Sequence, residues 1–183
     1  MSVVVRLVRH AESTGNAAHR LVGHLDLALS PRGEEQAREL AERLAGEQFD
    51  SVWSSDLTRA LTTARLGWGE PTPTQAMREM DFGTLDGMAF AEIAPEVVSA
   101  LLGFETFEAP GGESLESLRQ RVTGFLDGLP KGRHMVFTHG GVIRTVGNLV
   151  GHRRFVGNTG WMEVSWTERR LIEVSDPAGW RQG

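Results

Sequence analysis

The sequence predicts an α/β fold: a three-layer α/β/α sandwich with a mostly parallel sheet and a C-terminal antiparallel hairpin. Three observations carry this reading. Short apolar, β-branched runs alternate with segments of helical period along the chain. Two of those runs end on a histidine followed by small residues. The last two runs, WMEVSW and RLIEVS, alternate well enough to pair as a hairpin. Alternating strands and helices imply a parallel sheet covered on both faces.

The elements follow in order. Val3–Val8 is a buried strand that stops at Arg9 and His10. In ALSPRGEEQARELAERLAGEQ, Ser30 is placed to cap a helix, with Pro31 in its first turn and Glu34 and Glu35 near its positive end. Ala37, Leu40, Ala41 and Leu44 recur at the helical period, and Gly46 is a natural stop. Ser51–Ser55 is a second strand, DLTRALTTARLG a second helix closed by Gly67, and Pro73–Met77 a third strand. Phe90–Phe107 reads as short helices and loop. ESLESLRQRVTGFLDGL is a long amphipathic helix with Leu115, Leu118, Val122, Phe125 and Leu129 on one face. HMVFTHGG is a fourth strand ending in a turn, followed by a helix through Val150. Asp176–Gly183 reads as a loose tail.

Composition bounds the function. At 183 residues the chain is expected to form one domain over 1–183, with a substantial core. Its 40% hydrophobic and 23% charged residues are ordinary for a globular protein. No run approaches the roughly 18 apolar residues of a membrane span, and Met-Ser-Val does not open a secretory signal. Cysteine is absent, which removes disulfides, thiolate metal sites and cysteine-based phosphatase or protease chemistry. A cytoplasmic location is expected. The net charge of −5 argues against general binding to nucleic acid or anionic membranes, yet leaves room for a small anion among local arginines.

Ligands bind beyond the carboxyl ends of strands in open α/β sheets. VVVRLVRHAE and HMVFTHGGVIR each place a histidine there, so parallel strands bring His10 and His139 to one rim. SSDLTRA adds Arg59 after the second strand, and MREMDFG adds Glu79 and Asp81 after the third. No Walker loop, G-x-S-x-G elbow or H-E-x-x-H pair appears. The DFG triplet lacks every other kinase signature. The six histidines do not show the tight spacing of a zinc site, and zinc would not account for Arg9 beside His10.

RHAESTGN, SSDLTRA, REMDFGTLDG, PGGES and THGGVIR, in this order, resemble the successive motifs of the histidine phosphatase superfamily, also called phosphoglycerate mutase-like. The resemblance spans Val5 to Arg144 and looks closest to α-ribazole-phosphate phosphatases and related broad-specificity phosphatases. Ala11 stands where the family more often has glycine, a small-for-small change. The resemblance implies that His10 is the nucleophile that becomes phosphohistidine, that Arg9, Asn16, Arg59 and His139 bind the phosphoryl group beside Gly140, and that Glu79 is the proton donor. Asp81, two residues on, is the competing acid. Physical chemistry fits these roles. Guanidinium forks match phosphate oxygens, a neutral imidazole offers a free nitrogen, and a protonated His139 would add donors to the equatorial oxygens. No metal or cofactor is required.

Gly23 and His24 are candidates to line the pocket, with Asp26 in the same loop. Glu113 and Ser114 read as caps of the long helix, with a substrate contact as the alternative. His19, His134 and His152 read as surface or packing residues. Phe90, Phe104 and Phe107 read either as an aromatic cover for the leaving group or as ordinary packing. The expected activity is metal-independent hydrolysis of a small phosphorylated metabolite. The alternatives are mutase-type phosphoryl transfer, which needs a shielded phosphohistidine, and a non-catalytic phospho-ligand module, which would be expected to have lost its nucleophile or acid. The final hairpin leaves an edge at which a homodimer could form.

Overall fold

The computed structural model describes residues 2–178. In chain order its elements are β1 (Val3–Arg9), α1 (Thr14–Ala17), α2 (Pro31–Arg43), β2 (Ser51–Ser55), α3 (Thr58–Gly67) and β3 (Thr72–Thr74), then α4 (Pro95–Gly103), α5 (Leu115–Asp127), β4 (Gly132–Thr138), α6 (Gly140–Leu149), β5 (Trp161–Ser165) and β6 (Arg170–Ser175). The strands form one sheet in the order β3-β2-β4-β1-β5-β6. β1, β2, β3 and β4 pair in parallel; β5 is antiparallel to β1, and β6 to β5. The α/β fold with its antiparallel C-terminal strands is as the sequence predicts.

Alternation along each strand feeds two cores, as the period of two in a pleated strand requires. Val5, Leu7, Val136, Met162 and Val164 face a core shared with α5 and α6, including Leu118, Val122, Leu126 and Ile143. Val8, Met135, Phe137 and Trp161 face the opposite layer, where Leu40 and Leu44 and the α3 residue Ala64 pack. The expected apolar stripe of α2 is buried at Ala37, Leu40 and Leu44 but not at Ala41.

The loop after β1 is clamped by α2. The Ser30 hydroxyl accepts from Gly33 N (3.0 Å) and donates to Glu12 Oε1 (2.7 Å), and Ser30 N donates to Glu12 O (2.9 Å). The helix start approaches so closely that a Cβ on Gly33 would lie 1.9 Å from Glu12 O. Only a residue without a side chain fits there.

Three details differ from the sequence reading. The third strand is shorter than Pro73–Met77, because the chain turns into a 3-10 helix at Gln75–Met77 with Thr74 capping it. RHAESTGN contains a one-turn helix, α1, nucleated by a reciprocal Ser13–Asn16 capping box. In the supposed tail, Asp176 is tied down, accepting from Gly157 N at 2.7 Å; residues 179–183 lie outside those described. Among the described residues no helix is long and apolar enough to cross a membrane.

Candidate active site

The register of the sheet assembles the site. Arg9 pairs with Thr138 across β1 and β4, so the next residues, His10 and His139, leave the sheet side by side. Their rings meet edge to face, with centroids 5.1 Å apart. A cavity of about 170 Å³ opens at this sheet end. Of the residues expected from sequence, Arg9, His10, Asn16, Arg59, Glu79 and Gly140 line it.

His10 is 4% exposed, and its Nδ1 lies 2.6 Å from the carbonyl of Ala11. A carbonyl only accepts, so Nδ1 carries the proton and Nε2 keeps its lone pair. Burial, followed by the charges of Arg59 and Arg9, pushes the His10 imidazole well below its ordinary value, against the opposing effect of the Ala11 bond. The ring is therefore neutral. Its backbone is braced from the loop before β5, where Asn158 Nδ2 donates to His10 O at 2.8 Å.

His139 is fully buried and is not among the cavity-lining residues; its ring lies against His10, with Nε2 2.8 Å from the Ser55 hydroxyl and its buried Nδ1 unpartnered. Burial and then Arg59 drive its imidazole well below the usual range. These effects favour its neutral form.

The two inner arginines are held by carbonyls. Arg59, 1% exposed, donates to Gly23 O (2.7 Å) and Leu25 O (3.1 Å). Arg9 donates to Val156 O (2.8 Å) through Nη1, while its buried Nε has no partner. Burial lowers both guanidinium values, and the nearby Glu79 opposes this. Asn16 Oδ1 accepts from the Ser13 backbone and hydroxyl, which leaves its amide nitrogen as the donor available to a ligand.

Glu79, 8% exposed, is also among the cavity-lining residues. Its carboxylate accepts from Met80 N (2.9 Å) and from Gly141 N (3.0 Å), in the first turn of α6. Asp81 is not on the wall; its Oδ1 is spent on Gly83 N at 2.9 Å.

Residues 5–174 match a family model described as histidine phosphatase superfamily (branch 1). The chain belongs to this superfamily. It is 40% identical over 155 residues to phosphoglycerate mutase-like protein 4 of Arabidopsis thaliana, covering 76% of this chain and 67% of that protein. It is 37% identical over 155 residues to a metal-independent phosphoserine phosphatase of Arabidopsis thaliana, covering 76% and 65% respectively; the chain thus spans just under two thirds of that relative's length. Among solved structures, a phosphoglycerate mutase from Thermus thermophilus superposes with a TM-score of 0.87 at 39% identity, covering 95% of this chain and 99% of that one.

Within this superfamily member, the loop at Gly23 and His24 supports the wall rather than forming it. Gly23 O and Leu25 O hold Arg59, and the Asp86 carboxylate takes Gly23 N and Leu25 N at 2.7 Å each. A Cβ on Gly23 would lie 2.4 Å from Met80 O. His24 Nε2 lies 3.0 Å from Glu79 O, and Asp26 accepts from Thr58 N and Thr58 Oγ1 at the start of α3. Ser114 caps α5 as expected, but Glu113 does not. It pairs with Arg121 at 2.9 Å, and Arg121 also donates to the carbonyls of Ala76, Arg78 and Glu79. This hub fixes the segment that carries Glu79. His134 packs as expected, bonded to Ser51 and Pro130.

The sequence reading missed several wall residues: Arg20, Leu101, Leu102, Arg144 and Phe155. Arg144 lies one helical turn past Gly140 on α6, a spacing that could have flagged it. Phe90 and Phe104 join the wall; Phe107 is buried in the core instead.

Proposed function

We propose that this chain is a phosphomonoesterase that hydrolyses a small phosphorylated metabolite through a phosphohistidine on His10, without a metal. The observation that carries the reading is the His10 imidazole: neutral, with its tautomer set by Ala11 O, on the same wall as Arg9, Arg59 and Glu79. In the first step His10 Nε2 attacks phosphorus and the bond to the leaving oxygen breaks. Glu79 gives its proton to that oxygen as it departs. In the second step water attacks phosphorus, the P–N bond breaks, and Glu79 takes the water proton. Imidazole and carboxyl group are both restored.

Arg9 and Arg59 meet the phosphoryl oxygens with charge-assisted donors, joined by the Asn16 amide. The first N–H groups of α6 at Gly140 and Gly141 lie at the same rim, where a helix start favours an anion. Burial and then the charge of Arg59 hold His139 neutral; a phosphate dianion would offset the arginine charge, so in this reading His139 gains its proton along with the substrate.

Mutase-type transfer is the second reading, favoured by the names of the relatives above. The two separate by product: hydrolysis releases inorganic phosphate, whereas transfer returns an isomeric ester. The test is turnover of 4-nitrophenyl phosphate in EDTA by the native chain and by His10→Ala. EDTA-resistant release of phosphate, abolished by the substitution, is expected. Turnover that survives the substitution would remove His10 as nucleophile.

A further inference from the structure

Arg9 and His10 are braced from one loop, residues 156–160, between α6 and β5. Arg9 N donates to Gly160 O (2.9 Å), and Thr159 N donates to Arg9 O (3.0 Å). Asn158 Nδ2 donates to His10 O, and Val156 O accepts from Arg9 Nη1, each at 2.8 Å. The loop thus holds both the backbone and the guanidinium of Arg9.

It takes a strained shape to do so. Thr159, 2% exposed, has φ 59°, a left-handed conformation that a β-branched residue seldom adopts. Such a conformation persists where its surroundings over-determine it. Two side chains from outside the loop supply that constraint. Arg43, in the last turn of α2, donates to Thr159 O at 2.8 Å and stacks on Trp161 at 4.3 Å. Asp176, one residue past β6, accepts from Gly157 N at 2.7 Å. Gly160 makes room for that carboxylate, since a Cβ there would lie 2.7 Å from Asp176 Oδ1.

The charge of Asp176 also acts on Arg9. After Glu79, it favours the charged guanidinium against the effect of burial. A carboxylate that pairs electrostatically with Arg9 opposes a phosphate dianion at the same group. The field of Asp176 and its bond to Gly157 N therefore push phosphate affinity in opposite directions. We infer that Asp176 is a positioning residue for the phosphoryl site: by accepting from Gly157 N it fastens the loop that sets Arg9 and, through Asn158, His10. This rests on the phosphatase reading in taking Arg9 as a ligand of the phosphoryl group.

The test is calorimetric titration of inorganic phosphate into the native chain, Asp176→Ala and Asp176→Asn, well below their melting temperatures. Asp176→Ala loses the acceptor and loosens the loop, so phosphate binds about three- to tenfold more weakly, the scale of one hydrogen bond. Asp176→Asn keeps an acceptor for Gly157 N and drops the opposing charge, so it binds at least as tightly as native. Charge alone would instead give tighter binding in both variants. Unchanged or tighter binding in Asp176→Ala, or equal weakening in both, overturns the inference. If the native chain does not bind phosphate, that counts against the phosphatase reading, and amide hydrogen exchange then decides the role of Asp176. Exchange at Arg9 N and Thr159 N quickens in Asp176→Ala and is restored in Asp176→Asn; native exchange in Asp176→Ala overturns the inference.

Discussion

Gly141→Ala separates catalysis from folding at this site. A Cβ at Gly141 would lie 2.3 Å from Glu79 Oε1, whereas ordinary contacts start near 3.4 Å. The carboxyl group must therefore retreat by about 1 Å, and it loses the 3.0 Å bond from Gly141 N. The stability terms partly cancel. Alanine improves helix α6 by up to about 1 kcal/mol, against about 1.5–3 kcal/mol for a charge-assisted bond. The melting temperature should fall by only a few degrees. Activity responds differently, because a 1 Å misplacement of a reacting group can cost on the order of a hundredfold, within the 10²–10⁴-fold of general acid catalysis. kcat/KM reads the step up to phosphohistidine formation. An alkyl phosphate, whose alkoxide needs a proton to leave, should lose about a hundredfold in Gly141→Ala. 4-Nitrophenyl phosphate, which leaves as a stabilised phenolate, should lose less than about fivefold. Equal losses on both esters, or no loss on either, would refute the assignment of Glu79 as the acid held by the start of α6.

Three further outcomes are expected. His10 and His139 both titrate well below 6.5 in the folded chain, so the unfolded chain binds more protons just below that value, and stability falls as pH drops through it. Urea midpoints should show a slope of up to about 1.4 kcal/mol per pH unit for each histidine, reduced in His139→Gln; an unchanged slope would mean that His139 is not held neutral. Arg121→Met should cost about 2–4 kcal/mol, because it strands Glu113 and three carbonyls, and should lower kcat/KM with the loosened Glu79 segment; chemical denaturation and alkyl-phosphate kinetics check both. Gly33→Ala should destabilise by more than about 2 kcal/mol despite better helix propensity, since its Cβ would meet Glu12 O at 1.9 Å; a midpoint equal to native would show that α2 can shift freely.

The parts of the fold governed by periodicity were legible in the residues. Val5, Leu7 and Val8 alternate between two cores, and Leu118 and Val122 mark the inward face of α5. Strand-end residues such as Arg9, His10, Arg59 and Glu79 were legible for the same reason, because a parallel sheet delivers them to one edge. What stayed hidden depends on long-range contact. His139 shares the signature of His10, yet only His10 is among the cavity-lining residues, while His139 Nε2 meets the Ser55 hydroxyl of β2, which no local pattern encodes. Gly23 and His24 read as wall residues, but the backbone of Gly23 is spent on Arg59 and Asp86, and the His24 ring lies against Glu79 O. Glu113 sits where a capping acid would, and instead meets Arg121 eight residues later. Arg20 lies in the loop after α1, and the cavity wall it joins includes α4 and α6 residues far away in sequence.

The way each arginine is held explains how an acidic protein keeps a cationic pocket. In the middle of β1, Arg6 is matched by Glu47 and Glu163, and Arg133 at the start of β4 by the same two carboxylates. Those pairs neutralise charge and bind strand to strand. At the carboxyl end of the sheet the partners are carbonyls of Val156, Gly23, Leu25, Gly87 and Leu102. A carbonyl dipole fixes the direction of a guanidinium without cancelling its charge, so the field of the arginine survives into the cavity. Carboxylates near the inner pair, Asp26 and Asp86, are turned to backbone N–H groups instead. Burying an uncompensated guanidinium costs stability, which is the burial effect that lowers Arg9, Arg59 and Arg144 from their ordinary values. The fold bears that cost at the rim where the two histidine strands end, which is where an anionic ester would recover it.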